Sequence, residues 1–421
     1  MIGKKLLYPF SFFQQQIHEL YSQGTAFEKL LFFLYLISSL GLFLYSYTQI
    51  DLGLVITRVS WLYAIEKKFQ YIGYFNRPFS ALLFVSLTII FTFLYFYLWR
   101  LSHQKKIKSS TVWSIIGVVT IILTFSYNAF SYDLFNYLFD AKILTHYHQN
   151  PYLHKALDYP QDPMLGFMHW THRTYPYGPL WLALTIPLSF IGTNIFIITF
   201  FLFKILMAAS FLFLLYYLYQ ILKKGNEKNV LENFILFAFN PLVLYECLIS
   251  AHNDIVMMAF SVAALFYLLQ KKYWLGFLLL LISIGIKFAT IALLPIFLLT
   301  FLLMRKKKII NQKKIFLACF GLMLLPLFFV TMRTNFQPWY LLYVLPFIPF
   351  IAKSFIRYLI VFISVGCLFL YTSFLATGDW HSKWYTVPES VMYWMIAIVG
   401  VVGALYAMYT MFRITFVEDN K

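Results

Sequence analysis

Two carboxylic acids, Asp133 and Asp140, stand in the run Ser131-Tyr132-Asp133-Leu134-Phe135-Asn136-Tyr137-Leu138-Phe139-Asp140. Their separation is close to two helical turns, so on a helix both fall on roughly one face. Further on come His252-Asn253-Asp254, then Lys287, then Arg333-Thr334-Asn335-Phe336-Gln337-Pro338-Trp339-Tyr340. Acids, an imidazole, an ammonium and a guanidinium together make a mixed-charge site. A carboxylate in such a site takes a proton from an acceptor hydroxyl. Lys287, Arg333 or His252 binds a phosphate through charge-assisted hydrogen bonds. Phosphate is a competent leaving group without an acid of its own, whereas a glycoside hydrolase normally needs two carboxyls. The set therefore suits glycosyl transfer from a polyprenyl-phosphate sugar. Each residue also has a plainer use. Acids mark a water interface, a lysine snorkels to headgroups, and Trp339-Tyr340 suits an interfacial belt. The shared site is favoured because all of these groups reach one side of a membrane.

That membrane follows from composition. Of 421 residues, 61% are hydrophobic and 12% charged, and mean hydropathy is +0.74. Soluble domains are about 45–50% apolar and about 25% charged, so a soluble globular chain is excluded, as is disorder. The net charge of +17 would suggest nucleic acid on a soluble protein. Here cytoplasmic basic loops account for it, and no nucleic-acid partner is expected. Cys247, Cys319 and Cys367 lie in apolar runs, which excludes a disulfide framework. No cleavable signal is evident, because the apolar stretch after Lys4-Lys5 is cut short by Gln14-Gln15-Gln16.

A bilayer takes about 20 apolar residues per helix. The clear candidates are 29–49, 79–99, 111–130, 195–221, 231–250, 254–270, 315–332, 357–376 and 390–412. Residues 273–304 read as a hairpin turning near Lys287, because Lys271-Lys272 and Arg305-Lys306-Lys307-Lys308 at its two ends both belong inside. Residues 339–352, interrupted by Pro346 and Pro349, complete twelve spans with both termini cytoplasmic. Inside segments then collect 22 Lys/Arg against 10 outside, with Lys204 within a span. The fold class is an all-α integral membrane bundle. Residues 1–28 form a cytoplasmic segment, 29–412 a single transmembrane domain and 413–421 a cytoplasmic tail. The long outer loop 131–194 ends in a re-entrant helix over 179–191, and 50–78 is an amphipathic interfacial segment.

Rival chemistries are weaker. His146-x-His148 and His169-x-x-His172, with Asp158 and Asp162, lack a four-ligand zinc spacing. No cofactor is expected, and a divalent cation is compatible but not required. Phosphate-binding glycine loops and serine-nucleophile elbows are absent. A transporter or lipid flippase is the alternative. It fits less well, since the longest loop follows the third span and the ionisable residues lie at outer ends, not at the midplane. Asp51, just after the first span, rivals Asp133 as the base.

At these residues the chain resembles the C-type glycosyltransferases (the GT-C fold) that use polyprenyl-phosphate sugars, in particular the bacterial polyprenyl-phosphate-mannose-dependent mannosyltransferases. It is similar, more distantly, to the catalytic subunit of the first GPI mannosyltransferase. The resemblance runs from about Phe130 to Tyr340. Tyr132-Asp133-Leu134-Phe135-Asn136-Tyr137, Asn150-Pro151-Tyr152 and Tyr175-x-Tyr177-Gly178-Pro179 match the first catalytic loop in order. Asn240-Pro241 with Ala251-His252-Asn253-Asp254, then Gly285-Ile286-Lys287 and Trp339-Tyr340, match later motifs. The resemblance implies that a hexose, expected to be mannose, passes with inversion to a glycan or lipid acceptor at the outer face of a bacterial plasma membrane. It implies Asp133 as general base, with Asp140 a candidate second acid. Lys287, Arg333, Gln337, Trp339 and Tyr340 would lie near the donor phosphate and lipid. Asn136, Asn150, Tyr152, Tyr177, His252, Asn253 and Asp254 would hold sugar or acceptor, or brace the loop. Asp140 and the stretch His146 to His172 depart from the family pattern, and the acceptor is not implied by it.

Overall fold

Thr25 starts the first long apolar helix. Its hydroxyl accepts the Glu28 amide, and the Glu28 carboxylate accepts the Thr25 amide, each near 3 Å, which satisfies two of the helix's orphan donors. The other Glu28 oxygen takes the Lys108 amide and the Thr111 hydroxyl. One buried acid thus ties together the starts of two helices. A computed structural model describes residues 8–225, 229–308, 311–351 and 354–379, with 405, 408 and 409 beyond them.

The architecture is helical. In order come α1 (Tyr8–Gln23), α2 (Ala26–Tyr47), α3 (Ser60–Gln70), α4 (Arg77–His103), α5 (Ser109–Thr124) and α6 (Asp133–Thr145). Then follow α7 (Pro179–Ile191), α8 (Phe196–Lys224), α9 (Val230–Ala238), α10 (Pro241–Leu244), α11 (Asp254–Leu269) and α12 (Tyr273–Ile286). Last are α13 (Leu294–Arg305), α14 (Gln312–Thr334), α15 (Ser354–Leu368) and α16 (Leu370–Thr377). Among the described residues the only β pairing is an isolated bridge, Lys155 to Thr174.

Six helices among the described residues are long and apolar enough to cross a bilayer, and α9 with Pro241–Ile249 makes a seventh if that 51° bend lies within one span. Twelve full crossings are not met by length. Helices α5, α11 and α12 have only 16, 16 and 14 residues, so at about 1.5 Å per residue each falls short of a bilayer core about 30 Å thick. The expected span 339–352 is not a continuous α-helix over its described residues, 339–351. Pro338–Tyr343 and Leu345–Phe350 form two successive 3-10 segments, largely buried in protein. Pro346 and Pro349 lack the amide that an i to i−4 ladder needs. The expected span 390–412 and tail 413–421 lie outside the described residues.

Three local features position the site. The chain between α12 and α13 breaks at Lys287, whose backbone is extended, with φ −150 and ψ 126. Helix α7 starts with Gly178 and Pro179. Proline suits that first position, where no amide is required and its fixed φ is already helical. Helix α6 lies against α7 and α8, and its residues from Asp133 to Phe139 are buried. The outer loop is therefore folded back into the protein.

Candidate functional site

Asp133 opens α6. Its amide donates to the Ser131 hydroxyl at 3.2 Å, and its carboxylate lies in the first turn, where the helix dipole favours negative charge. One oxygen, Oδ1, lies 3.9 Å from Arg173 Nη2, and the other, Oδ2, lies 3.7 Å from His252 Nδ1. Both separations are ion-pair distances, too long for hydrogen bonds. Asp133 is 9% exposed. The base candidate is thus held from two sides without being tightly bonded.

His252 is fully buried, and its position is set by a break in the chain. The π-helical turn Tyr245–Ile249 ends the bent span, and Ala251 then takes a left-handed φ of 58°. A side chain adopts that conformation at a cost of about 1–2 kcal/mol, here spent reversing the chain before α11. The His252 ring stacks on Trp339 at 4.0 Å and 15°. Its Nε2 lies 3.4 Å from Glu246 Oε2, and Tyr371 donates to Glu246 Oε1 at 2.8 Å. Buried Lys204 donates to the carbonyls of Leu248 and Ile249, and to Ser126 Oγ. These are carbonyls at the end of the π turn, where the helical ladder stops.

Asn253 accepts the Tyr137 hydroxyl at 3.3 Å. Asp254 starts α11 and accepts Lys287 Nζ at 2.6 Å. That ammonium faces the rings of Tyr177, Tyr340 and Tyr343 at 6.0, 6.0 and 5.7 Å, an arrangement that favours a cation. Gly178 donates to the Ile286 carbonyl at 3.1 Å, and a Cβ on Gly178 would sit 2.1 Å from the Gly285 carbonyl oxygen. Only a glycine lets these two backbones touch. The contact brings the end of the outer loop to Lys287.

Asp140 lies on the Asp133 side of α6. Burial pushes its carboxyl up to about 7; Arg173 opposes that shift and the Asp133 charge reinforces it. Arg173 is desolvated, yet the carboxyl groups of Asp133 and Asp140 around it strengthen its hold on the proton. It also lies over Trp170 at 5.3 Å.

The remaining expected residues divide. Asn136 donates to the Trp170 carbonyl, Asn150 accepts the Tyr152 amide, and Tyr152 donates to the Tyr177 carbonyl. These three brace the outer loop. Trp339 and Tyr340 join the site, and Gln337 precedes them, partly buried, at the start of their 3-10 segment. Arg333 is exposed on the last turn of α14, outside this network. Asp51, the rival base, is engaged elsewhere, accepting the Gly53 amide and the Tyr132 hydroxyl. The histidine pairs do not converge either. His169 stacks on Tyr132 at 3.6 Å, Asp158 pairs with His154, and Asp162 is held by Lys142 and Tyr147. Among the described residues no group of three His, Cys, Asp or Glu side chains forms a metal cage.

Sequence reasoning missed Arg173, Glu246, Tyr343 and Tyr371. Glu246 did carry a signal, as an acid inside an apolar stretch, where ionisable groups are costly and tend to serve a purpose. Arg173 carried none beyond lying two residues before Tyr175.

A family model described as alpha-(1->6)-mannopyranosyltransferase, N-terminal domain, matches residues 39–305. The match ends before Trp339, so part of the site comes from chain beyond it. No curated protein and no solved structure matches the chain.

Proposed function

The chain belongs to the alpha-(1->6)-mannopyranosyltransferase family, whose model covers more than half of it, and it is a membrane glycosyltransferase; on that premise we propose the reaction. Mannose passes from a polyprenyl-phosphate donor to a glycan or lipid acceptor at the extracytoplasmic face of a bacterial plasma membrane, with inversion and with Asp133 as general base. Asp133 takes the proton of the acceptor hydroxyl. The hydroxyl oxygen attacks the anomeric carbon from the face opposite the phosphate. The bond to the phosphate oxygen breaks, and its electron pair leaves with the polyprenyl phosphate. A β-linked donor then yields an α-linked product, which agrees with the family's description.

The observation that carries this reading is the placement of Asp133. It is a nearly buried carboxylate at 3.7–3.9 Å from two cationic-type groups and not closed off by a tight bond. Arg173 and Lys287 both lie near Tyr177 and supply positive charge for the donor phosphate. The role of Arg173 replaces that expected for Arg333. Carboxylate base and fixed cations together supply the proton acceptor and leaving-group stabilisation, so the proposed mechanism does not require a metal.

The test is transfer of labelled mannose from polyprenyl-phosphate mannose to a panel of glycan and lipid acceptors. Asp133→Asn is expected to lower turnover about 10²–10⁴-fold, the usual worth of a general base, while the variant still binds donor. Wild-type turnover in Asp133→Asn would refute the base assignment. Lipid movement across liposomes with no transfer from any sugar donor would refute the reaction.

A further inference from the structure

Glu246 belongs to no expected motif, yet it connects to the proposed base. Asp133, His252 and Glu246 form a row: Asp133 Oδ2 lies 3.7 Å from Nδ1 of His252, and Nε2 lies 3.4 Å from Glu246 Oε2. Both His252 and Glu246 are fully buried. Neither ring nitrogen makes a hydrogen bond elsewhere among the described residues, and neither does Glu246 Oε2. The ring cannot turn freely, because Trp339 stacks on it. Glu246 cannot swing away, because Tyr371 holds its other oxygen. The π turn that carries Glu246 is itself pinned by Lys204 at its last carbonyls.

Each ring nitrogen thus faces one carboxyl group, and the stacked Trp339 fixes the plane in which it does so. Asp133 also faces Arg173. Loss of the Glu246 carboxyl would remove the contact at the Nε2 edge of the ring.

We propose that Glu246 is a positioning residue for the transfer: with Trp339 it fixes the His252 ring beside Asp133, and that ring keeps the Asp133 carboxylate turned toward the acceptor. The proposal rests on the reading of Asp133 as base. In the reaction the acceptor proton goes to Asp133. His252 thus acts on the base rather than on the sugar.

The test compares purified full-length wild type, Glu246→Gln, Glu246→Asp, His252→Gln and the Glu246→Gln/His252→Gln double variant, using labelled polyprenyl-phosphate mannose. Glu246→Gln is expected to lower kcat about tenfold or more with donor KM little changed, because only transition-state stabilisation is lost. Glu246→Asp is expected to recover part of that loss. The double variant is expected to be no slower than His252→Gln alone, since Glu246 acts through His252. Losses that multiply, or a raised KM at constant kcat, would overturn the proposal. An active Asp133→Asn would instead sink the base reading, while the double-variant cycle still decides whether Glu246 acts through His252.

Discussion

Lys287 donates to Asp254 at 2.6 Å, joining the break between α12 and α13 to the first turn of α11. Asp254 is fully buried in that pair and Lys287 is 19% exposed. The ammonium is therefore partly open to solvent while already balanced by a carboxylate. The pair positions a cation and also holds the fold together at the site.

These two contributions separate by mutation. Lys287→Met strands a buried Asp254 charge, and breaking such a pair typically costs about 3–5 kcal/mol. We expect a lower melting temperature together with a raised donor KM. Lys287→Met with Asp254→Leu should regain most of the stability and none of the donor affinity. Thermal unfolding in detergent and donor titration measure the two. Unchanged donor KM and turnover in Lys287→Met would remove Lys287 from the phosphate site.

Arg173 is expected to matter for the donor more than for the acceptor. Arg173→Gln should raise donor KM about tenfold or more, in keeping with the loss of a charge-assisted contact to phosphate. Arg173→Lys should recover little, because a point charge does not reproduce the planar fork. Steady-state kinetics with donor and acceptor varied separately checks this. An effect confined to acceptor KM would reassign the residue.

Gly178 is expected to tolerate no side chain. A Cβ there would meet the Gly285 carbonyl oxygen at 2.1 Å, so the loop end must move away from α12. Overpacking of this kind costs about 1–3 kcal/mol, and it should also displace Tyr177 from Lys287. We expect Gly178→Ala to lower both the melting temperature and turnover. A variant with wild-type values for both would show that the contact is not needed.

Asp140 makes stability depend on pH. Its folded pKa is raised to about 7 by burial, so the folded state keeps a proton that the unfolded chain releases near its ordinary pKa of about 3.9. The resulting stabilisation is complete below the unfolded pKa and is lost as pH rises through about 7. Asp140→Asn should therefore flatten the fall in melting temperature between about pH 4 and pH 8. An unchanged pH slope in the variant would show that another group causes it.

Chelation is expected to leave transfer unchanged, because the proposed mechanism takes its positive charge from Arg173 and Lys287. Turnover measured with EDTA, and again after added magnesium or manganese, checks this. A loss on chelation that either metal restores would add a metal step to the reaction.

What the sequence determined was set by composition, periodicity and motif order. A chain with 61% hydrophobic and 12% charged residues has to bury its backbone polar groups in helices within a bilayer. The break at Lys287, the helix over 179–191 and, within the amphipathic segment 50–78, a helix over Ser60–Gln70 were legible from local rules of charge and periodicity. The ordered motifs from Tyr132 to Tyr340 pointed to the family that the model match now shows. The count of twelve spans was less secure. Hydropathy measures how apolar a stretch is, and 339–352 is apolar because it is buried in protein, where prolines break it into 3-10 turns. Only the tertiary structure could decide which charges meet. Arg173 reaches Asp133 because the loop folds back along α6, and Glu246 reaches it through His252 because a left-handed Ala251 reverses the chain. Arg333, which looked equivalent by type and side, ends exposed on α14. Ionic contacts act over a few ångströms in space, and spacing along a chain determines that distance only within one helix.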